Sequence, residues 1–192
     1  MIKDYEDFKK FILQSTTIDL NAYKERQMKR RIDTLISRNK YDGYDSYSQA
    51  IKKDKKLMEE FINYITINVS EFYRNPDQWE LLDKEVIPGL INRFGKDLKI
   101  WSAACSTGDE PYSLVMDLSR HLPLSHIHII ATDIDKQVIE KAKIGLYTEK
   151  SIAAVPEDLK RRFFTKVGAS YQIAQEIKDC VEFKQHNLLK DE

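Results

Sequence analysis

The segment 101–113 (Trp-Ser-Ala-Ala-Cys-Ser-Thr-Gly-Asp-Glu-Pro-Tyr-Ser) holds the residues best suited to binding a ligand. An apolar run over 98–105 predicts a strand, which leads into a tight turn at 106–108. Gly108 allows close approach of the backbone because it has no Cβ, and the helix that begins at Asp109 and Glu110 offers unpaired N–H groups. This arrangement is typical of a nucleotide-type ligand site.

A second acidic position follows 25 residues after Gly108, at the end of another apolar run over 127–133. This run predicts a second strand that ends at Asp133. A carboxylate at the tip of the second strand is well placed to accept hydrogen bonds from ribose hydroxyls. The two segments together predict that the chain binds an adenosine-containing cofactor.

The loop composition bears on which cofactor this is. A dinucleotide fingerprint needs three glycines, because the pyrophosphate lies against the turn, whereas this loop has one. Asp109 and Glu110 would repel a phosphate but suit a cationic ligand with an uncharged ribose. S-adenosylmethionine has a sulfonium, a ribose and no phosphate. An ordinary βαβ unit with a polar loop is the alternative interpretation.

A second polar constellation occupies 68–75, where Asn68 and Ser70 alternate with apolar residues and Arg74 follows an aromatic pair. An arginine can hold a carboxylate through two parallel hydrogen bonds. The carboxylate could belong to the methionine part of the cofactor or to an acidic substrate. A helix cap with a surface arginine would explain the same residues.

Composition excludes several classes of protein. Of the 192 residues, 32% are charged and 42% hydrophobic, which favours a globular chain over a disordered one. We expect no membrane insertion, because no apolar run approaches eighteen residues and the N-terminus lacks the features of a signal peptide. Cys105 and Cys180 lack metal-ligand spacing, so we expect no metal and a cytoplasmic location.

The charge is unevenly distributed although its net value is zero. Between residues 22 and 40, seven basic residues stand against two acidic ones on one predicted helix. Such a helix favours an acidic partner, although a solvated polar face gives the same pattern. A nucleic-acid methyltransferase is a weaker hypothesis, because zero net charge and one basic helix make a poor nucleic-acid footprint.

Periodicity predicts helices before residue 96 and alternating strands and helices after it. We expect an α/β protein with an N-terminal helical domain over 1–74, a connecting helix over 75–96, and a cofactor-binding domain over 97–192. A small extended insertion is predicted around 165–180. The predicted helices lie at 4–13, 22–40, 49–53, 56–67, 75–94 with a break at 88–89, 110–121, 137–145 and 153–164. The predicted strands lie at 98–105, 127–133, 171–174 and 181–186.

Four motifs together resemble one family closely. They are Thr-Ile-Asn-Val-Ser-Glu-Phe-Tyr-Arg (66–74), the segment 101–113, Ala-Thr-Asp-Ile-Asp (131–135) and Glu-Phe-Lys-Gln-His-Asn-Leu-Leu (182–189). The family is that of the chemotaxis receptor methyltransferases, and the chain resembles its Gram-positive members most. The resemblance implies a doubly wound, Rossmann-like sheet of the class I methyltransferase type. It also implies transfer of a methyl group from S-adenosylmethionine to receptor glutamates, with S-adenosylhomocysteine as product.

The resemblance also implies roles for individual residues. The expected cofactor-binding residues are Asn68, Ser70, Arg74, Glu110, Asp133, Asn187 and Leu188. Arg74 would lie near the methionine carboxylate and the methyl group, Asp133 would bind the ribose, and Asn187 with Leu188 would flank the adenine. No catalytic acid or base is expected, because the attacking glutamate is already ionised at neutral pH.

The basic helix contains the motif Met-Lys-Arg-Arg (28–31), which the family is thought to dock on the acidic methylation region of the receptor's cytoplasmic helical bundle. The resemblance therefore implies receptor-binding roles for Lys29, Arg30 and Arg31. The segment 166–170 is short, so we do not expect the grip on a receptor's C-terminal peptide that a longer loop provides in some members.

The chain stops shortly after the 187–189 motif, where family members continue with another strand carrying an Arg-Asn pair. We therefore expect the sheet to be incomplete at its C-terminal end. An alternative hypothesis follows from this expectation. The chain would then be a non-catalytic fragment that docks on the receptor or binds the cofactor.

Overall fold

A computed structural model describes residues 2–16, 18–66 and 70–191. It divides the chain into two compact units, Met1–Ile67 and Asn68–Glu192. Each unit is described by itself.

The described part of the first unit is all helical, as predicted. It contains α1 (Tyr5–Thr16), a short 3₁₀ turn (Leu20–Ala22), α2 (Glu25–Arg38), α3 (Tyr44–Lys53) and α4 (Lys55–Ile65). Its core is aromatic: the ring of Phe8 lies 5.2 Å from that of Tyr44 and 5.7 Å from that of Phe61. Helix α3 begins five residues before the predicted position 49, because Tyr47 turns inward and is fully buried.

The helical segment after the 70–75 loop continues through the predicted break. It consists of α5 (Pro76–Leu81), a π-helical turn (Leu82–Val86) and α6 (Ile87–Phe94). The N–H of Ile87 donates to the carbonyl of Leu82, five residues earlier. Pro88 has no N–H and its ring crowds the preceding turn, and a widened turn ahead of it relieves that conflict. The prediction of a break at 88–89 was therefore wrong.

The second unit is built on a parallel sheet, which confirms the predicted fold class. Its strands are β1 (Ile100–Ser102), β2 (Ile129–Asp133) and β6 (Val181–Gln185), in the order β1-β2-β6. Ser102 pairs with Ala131, which pairs in turn with Phe183. Helix α7 (Asp109–Leu118) follows β1, and α8 (Lys136–Ile144) follows β2. The carboxyl ends of the strands therefore meet at one edge, where ligands bind in such sheets.

A small antiparallel sheet completes the described part of this unit. It contains β3 (Leu146–Thr148), β4 (Phe164–Val167) and β5 (Ser170–Ile173) in the order β3-β5-β4, with α9 (Glu157–Phe163) before β4 and α10 (Gln175–Lys178) after β5. The sequence did not predict β3. The helix predicted from 153 starts only at Glu157, after Pro156. Buried Ile152 and Val155 sit in turns there, and their spacing imitates a helical stripe.

The turn at Gly108 is tightly packed against α8. Tyr112 is fully buried, and its hydroxyl donates to the carbonyl of Ala142 at 2.8 Å. Gly108 has a φ of +89°, and a Cβ there would lie 2.9 Å from the Cβ of Ala142. Both the backbone conformation and the space therefore require glycine at this position.

We predict that Gly108→Ala lowers the free energy of unfolding by about 2–4 kcal/mol, because it combines a left-handed backbone with overpacking. Gly89→Ala is the matched control, since a Cβ at this helical position meets nothing within 4 Å. That variant should be neutral or stabilise the protein by about 0.5–1 kcal/mol. Urea unfolding measures both, and equal effects would contradict the packing described here.

Candidate functional site

Asp133, at the end of β2, joins the loop that follows β1 to the start of α8. Its Oδ2 accepts the N–H of Ser106 at 2.8 Å, and its Oδ1 accepts the N–H of Asp135 at 3.0 Å. Its backbone carbonyl accepts the N–H of His186, just after β6, at 2.9 Å. The side chain is only 8% exposed. One residue thus ties together three segments at the carboxyl edge of the sheet.

The Asp133 carboxylate can accept further hydrogen bonds beyond the two from backbone N–H groups. A carboxylate offers about four lone-pair sites, and the two backbone N–H groups use one on each oxygen. The remaining sites could accept hydrogen bonds from a vicinal diol such as that of a ribose.

The two acidic residues after Gly108 have different surroundings. Asp109 is buried and accepts a hydrogen bond from the hydroxyl of Thr107. Its place in the first turn of α7 also suits a negative charge. Glu110 is exposed, and its Oε1 accepts the hydroxyl of Ser102 at 2.7 Å. Asp109 therefore stabilises the loop through its hydrogen bond with Thr107, whereas the exposed Glu110 is available to a ligand.

A cleft of about 600 Å³ lies beside this loop. Its polar lining includes Ser70, Glu71, Arg74, Ser106 and Glu110. Its apolar lining comes largely from the helical segment 76–94 and from α7, through Trp79, Leu81, Leu82, Val86 and Leu114. The volume and the combination of one polar and one apolar side are typical of a small-molecule site.

Ser106 is the residue in this cleft that most directly indicates a ligand. It is 6% exposed, and its Oγ is buried without a hydrogen-bond partner among the residues that the structure describes. Its φ of +46° is unusual for a residue with a side chain. An unsatisfied buried hydroxyl costs about 1–3 kcal/mol, and a polar ligand would remove that cost. The residues present therefore fit a cofactor with hydroxyl, amino or carboxylate groups.

The predicted cofactor residues fall into four groups. Ser70, Arg74 and Glu110 line the same cleft. Asp133 reaches its edge through the hydrogen bond to Ser106, whereas Asn187 and Leu188 follow β6 outside its lining. Asn187 turns its Oδ1 to the N–H of Leu189 at 3.0 Å, and Leu188 is half exposed. Asn68 lies outside the described residues.

Sequence reasoning did not select Ser106, Trp79 or Leu82 as site residues. A serine directly after a strand and before the loop glycine was the available signal for Ser106. The apolar residues of the connecting helix carried no such signal, because their spacing is the same whether they pack in a core or line a cleft.

The three predicted receptor-binding residues do not share one environment on α2. Lys29 and Arg30 are exposed, and the ammonium of Lys29 lies 3.4 Å from the Asp33 carboxylate. Arg31 is half-buried: its guanidinium lies over the ring of Tyr64, 4.9 Å from the centroid, and donates to the Tyr64 carbonyl. Arg31 therefore links α2 to α4 within the first unit.

Cys105 is the nucleophilic side chain nearest the loop, and it is inert. Burial, followed by the charge of Asp133, raises the pKa of its thiol to about 12. A thiol with that pKa stays protonated at neutral pH and is a poor nucleophile. In the described residues, no group of three or more His, Cys, Asp or Glu side chains could hold a metal ion. Among the same residues, no helix is long and apolar enough to cross a membrane.

The second unit has a parallel sheet whose strand ends border a polar cleft, and the described part of the first unit is helical. These features define the class of a two-domain, cofactor-binding α/β protein. Residues 68–192 match the family model described as "CheR methyltransferase, SAM binding domain". Residues 3–66 match the one described as "CheR methyltransferase, all-alpha domain". The chain therefore belongs to the CheR methyltransferase family, which confirms the predicted resemblance.

Curated relatives support this assignment over nearly the whole chain. A chemotaxis protein methyltransferase of Listeria innocua is 41% identical over 98% of this chain and 72% of its own length. Chemotaxis protein methyltransferase 2 of Vibrio cholerae is 32% identical over 96% of this chain and 67% of its own length. The chain is an S-adenosylmethionine-dependent methyltransferase of the chemotaxis type. The alternative hypothesis of a non-catalytic fragment is not favoured.

We predict that Asp133→Ala lowers the free energy of unfolding by about 2–4 kcal/mol, because the N–H groups of Ser106 and Asp135 lose their acceptor. Asp133→Asn, which keeps one oxygen, should cost less. Asp97→Asn, at an exposed carboxylate outside the cleft lining, is the control. If urea unfolding gives no larger loss for the alanine variant than for Asp97→Asn, the carboxylate does not hold the loop.

Proposed function

We propose that this protein transfers a methyl group from S-adenosylmethionine to glutamate side chains of a chemoreceptor and releases S-adenosylhomocysteine. The observation that carries the proposal is the cleft beside Ser106: the Ser106 N–H donates to the Asp133 carboxylate, and the buried Ser106 hydroxyl has no hydrogen-bond partner among the described residues. Arg74 and Glu110 line that cleft and supply one charge of each sign. A ligand with a ribose, an ammonium and a carboxylate complements this set.

Three charged residues in and beside the cleft each take one part of the cofactor in this proposal. Asp133 accepts the ribose hydroxyls with its remaining lone pairs, and Glu110 attracts the cationic part of the ligand. Arg74 holds the methionine carboxylate, for which a guanidinium has the matching donor geometry. The carbonyl of Arg74 accepts the indole N–H of Trp79 at 2.9 Å, which fixes this turn beside the cleft.

Asn187 and Leu188 flank the adenine in this proposal. Asn187 and Leu188 directly follow His186, whose N–H is bonded to the carbonyl of Asp133. We assign them, together with Ser70 and Asn68, as further contacts of the cofactor. Their part of the proposal rests on the family resemblance and on this sequence position.

The protein's contribution to the reaction is positioning. When bound, S-adenosylmethionine supplies the methyl group and a sulfonium leaving group. The attacking glutamate is ionised at neutral pH, so the chain needs no general base. The apolar side chains of Leu82, Val86 and Leu114 limit the water that would otherwise solvate that carboxylate.

The receptor-binding proposal rests on the charge of α2. Lys29 and Arg30 are exposed, and exposed Arg26 lies one turn before them on the same face. This basic face suits the acidic methylation region of a receptor's cytoplasmic helical bundle. Arg31 contributes less, because Tyr64 already holds its guanidinium. The two compact units part at 67/68, ahead of the predicted division at 74, so the predicted connecting helix over 75–96 belongs to the second unit. We propose that the protein acts in the cytoplasm, where this receptor region lies.

We predict that calorimetric titration with S-adenosylhomocysteine gives one-to-one binding in the micromolar range. Glu110→Gln and Asp133→Asn should weaken binding about tenfold or more, the equivalent of one charged hydrogen bond. Lys10→Glu, at an exposed position of α1, is the control and should leave the affinity unchanged. Unchanged affinity in both cleft variants, with normal circular dichroism, would contradict the assigned cofactor site.

We further predict that Arg30→Glu lowers the rate of receptor methylation about tenfold at low salt without changing the affinity for S-adenosylhomocysteine. Arg31→Glu should instead lower the melting temperature, because it removes the contacts with Tyr64. Lys10→Glu again supplies a charge reversal elsewhere in the same unit. If Arg30→Glu methylates receptor membranes at the rate of Lys10→Glu, the basic face does not dock.

A further inference from the structure

A second cleft, of about 270 Å³, lies in the second unit between the start of the 76–94 helical segment, the end of α7 and residues 154–156. Its charged lining consists of Asp77, Glu80, Asp83, Asp117 and Arg120. Four carboxylates thus face one guanidinium. Two aromatic rings, those of Tyr73 and Trp79, also line this cleft.

Asp117 is the buried member of the acidic group. It is 3% exposed, and within the described part of the chain its Oδ2 has no hydrogen-bond partner. Its Oδ1 lies 3.9 Å from Nε of Arg120, which is too far for a hydrogen bond. Burial, reinforced by the charge of Asp83, raises the pKa of Asp117 to about 6. At neutral pH the fold therefore holds an ionised and poorly compensated carboxylate, which is costly.

The basic side chains around the cleft lie against other carboxylates. Nη2 of Arg120 lies 3.0 Å from Oδ2 of Asp158, and Nε2 of His121 lies 2.6 Å from Oδ1 of Asp83. Lys84 pairs with Glu80 on the exposed helix surface. These pairs leave the cleft with an excess of negative charge close to Asp117.

The two aromatic rings that line the cleft, those of Tyr73 and Trp79, indicate which kind of ligand it suits. The rings of Tyr73 and Trp79 are 5.0 Å apart with an interplanar angle of 55°. The hydrogen bond from the Trp79 indole N–H to the carbonyl of Arg74 holds the larger ring in place. Aromatic faces beside carboxylates attract organic cations, and a planar guanidinium can stack on a ring while it donates to a carboxylate. Among the described residues, no group of three or more His, Cys, Asp or Glu side chains could hold a metal ion, in this cleft or elsewhere.

We propose that this cleft binds a guanidinium group, with Asp117 as its buried acceptor and Tyr73 and Trp79 as its aromatic wall. The site is separate from the cofactor cleft, although Trp79 lines both. The guanidinium belongs either to a small molecule or to an arginine side chain of a protein, and the two sources present the same chemistry to the cleft.

Tryptophan fluorescence tests the proposal. The chain has two tryptophans, so Trp101→Phe leaves Trp79 as the only reporter. Methylguanidinium, titrated at constant ionic strength against sodium chloride, should change the emission with saturation in the millimolar range. Asp117→Asn, made in the same background, should weaken binding at least fivefold. Asp97→Asn removes a carboxylate outside the cleft and should leave the affinity unchanged.

The outcomes are distinct. A change that does not saturate, or equal affinity in folded Asp117→Asn, overturns the proposal. If Asp117→Asn does not fold, Asp83→Asn takes its place with an expected loss of affinity of about threefold.

Saturating S-adenosylhomocysteine should leave methylguanidinium binding intact, and complete competition would show that the site is not separate from the cofactor cleft. Acetyl-arginine-N-methylamide binding as tightly as methylguanidinium supports an arginine side chain as the source, and binding of methylguanidinium alone supports a small molecule.

The pH dependence of stability gives a second test. The groups around Asp117 are Asp83 from the π-helical turn, Tyr73, and Arg120 and His121 on the segment that follows α7. Asp77 and Glu80 line the same cleft, and Asp158 from α9 pairs with Arg120. Since the pKa of Asp117 is higher in the folded state than in the unfolded state, its ionisation destabilises the fold as pH rises from about 4 through 6. Asp117→Asn should therefore melt at a higher temperature than the native protein at pH 8, and the two should converge below about pH 4. Methylguanidinium should raise the melting temperature of the native protein at pH 8 more than that of the variant, and an equal rise in both contradicts the site.

Discussion

The carboxylate of Asp133 is the constraint on which the rest of the site depends. It accepts two backbone N–H groups, from Ser106 and Asp135, while its carbonyl accepts a third from His186. These three bonds bring the loop after β1, the start of α8 and the segment after β6 to one point. A buried carboxylate is stable there because N–H donors replace its hydration. Ser106 is consequently held in a left-handed conformation beside the cleft, with its hydroxyl buried.

The cleft itself combines two surfaces of different origin. The loop and the 70–75 segment supply the polar side, and the π-helical turn with its neighbours supplies the apolar side. Pro88 forces the wider turn at Leu82–Val86, so a local conflict in the helix shapes a wall of the cleft. A methyl transfer between an ionised carboxylate and a sulfonium requires alignment and exclusion of water, and this pair of surfaces suits both needs.

Much of the fold was predictable because its signals are local. The acidic tip of β2, the glycine turn and the start of α7 follow from a few residues whose backbone requirements are specific, and Gly108 meets its requirement through both φ and space. The interactions that complete the site are not local. The bond between Asp133 and Ser106 spans 27 positions, and no periodicity in the sequence marks Ser106 as a site residue. The sequence did not predict strand β3, because this strand has only three residues and pairs with β5, which lies far along the chain. Arg31 was grouped with its exposed neighbours because adjacency in sequence does not show that Tyr64 lies against it.

The measurement that tests the central claim most directly is an experimental structure of the protein with S-adenosylhomocysteine. The account predicts the ligand in the cleft beside Gly108, with ribose hydroxyls within hydrogen-bond distance of the Asp133 carboxylate. It also predicts that a polar ligand atom contacts Oγ of Ser106. A ligand bound elsewhere, or a ribose that contacts neither Asp133 nor the 106–110 loop, would contradict it.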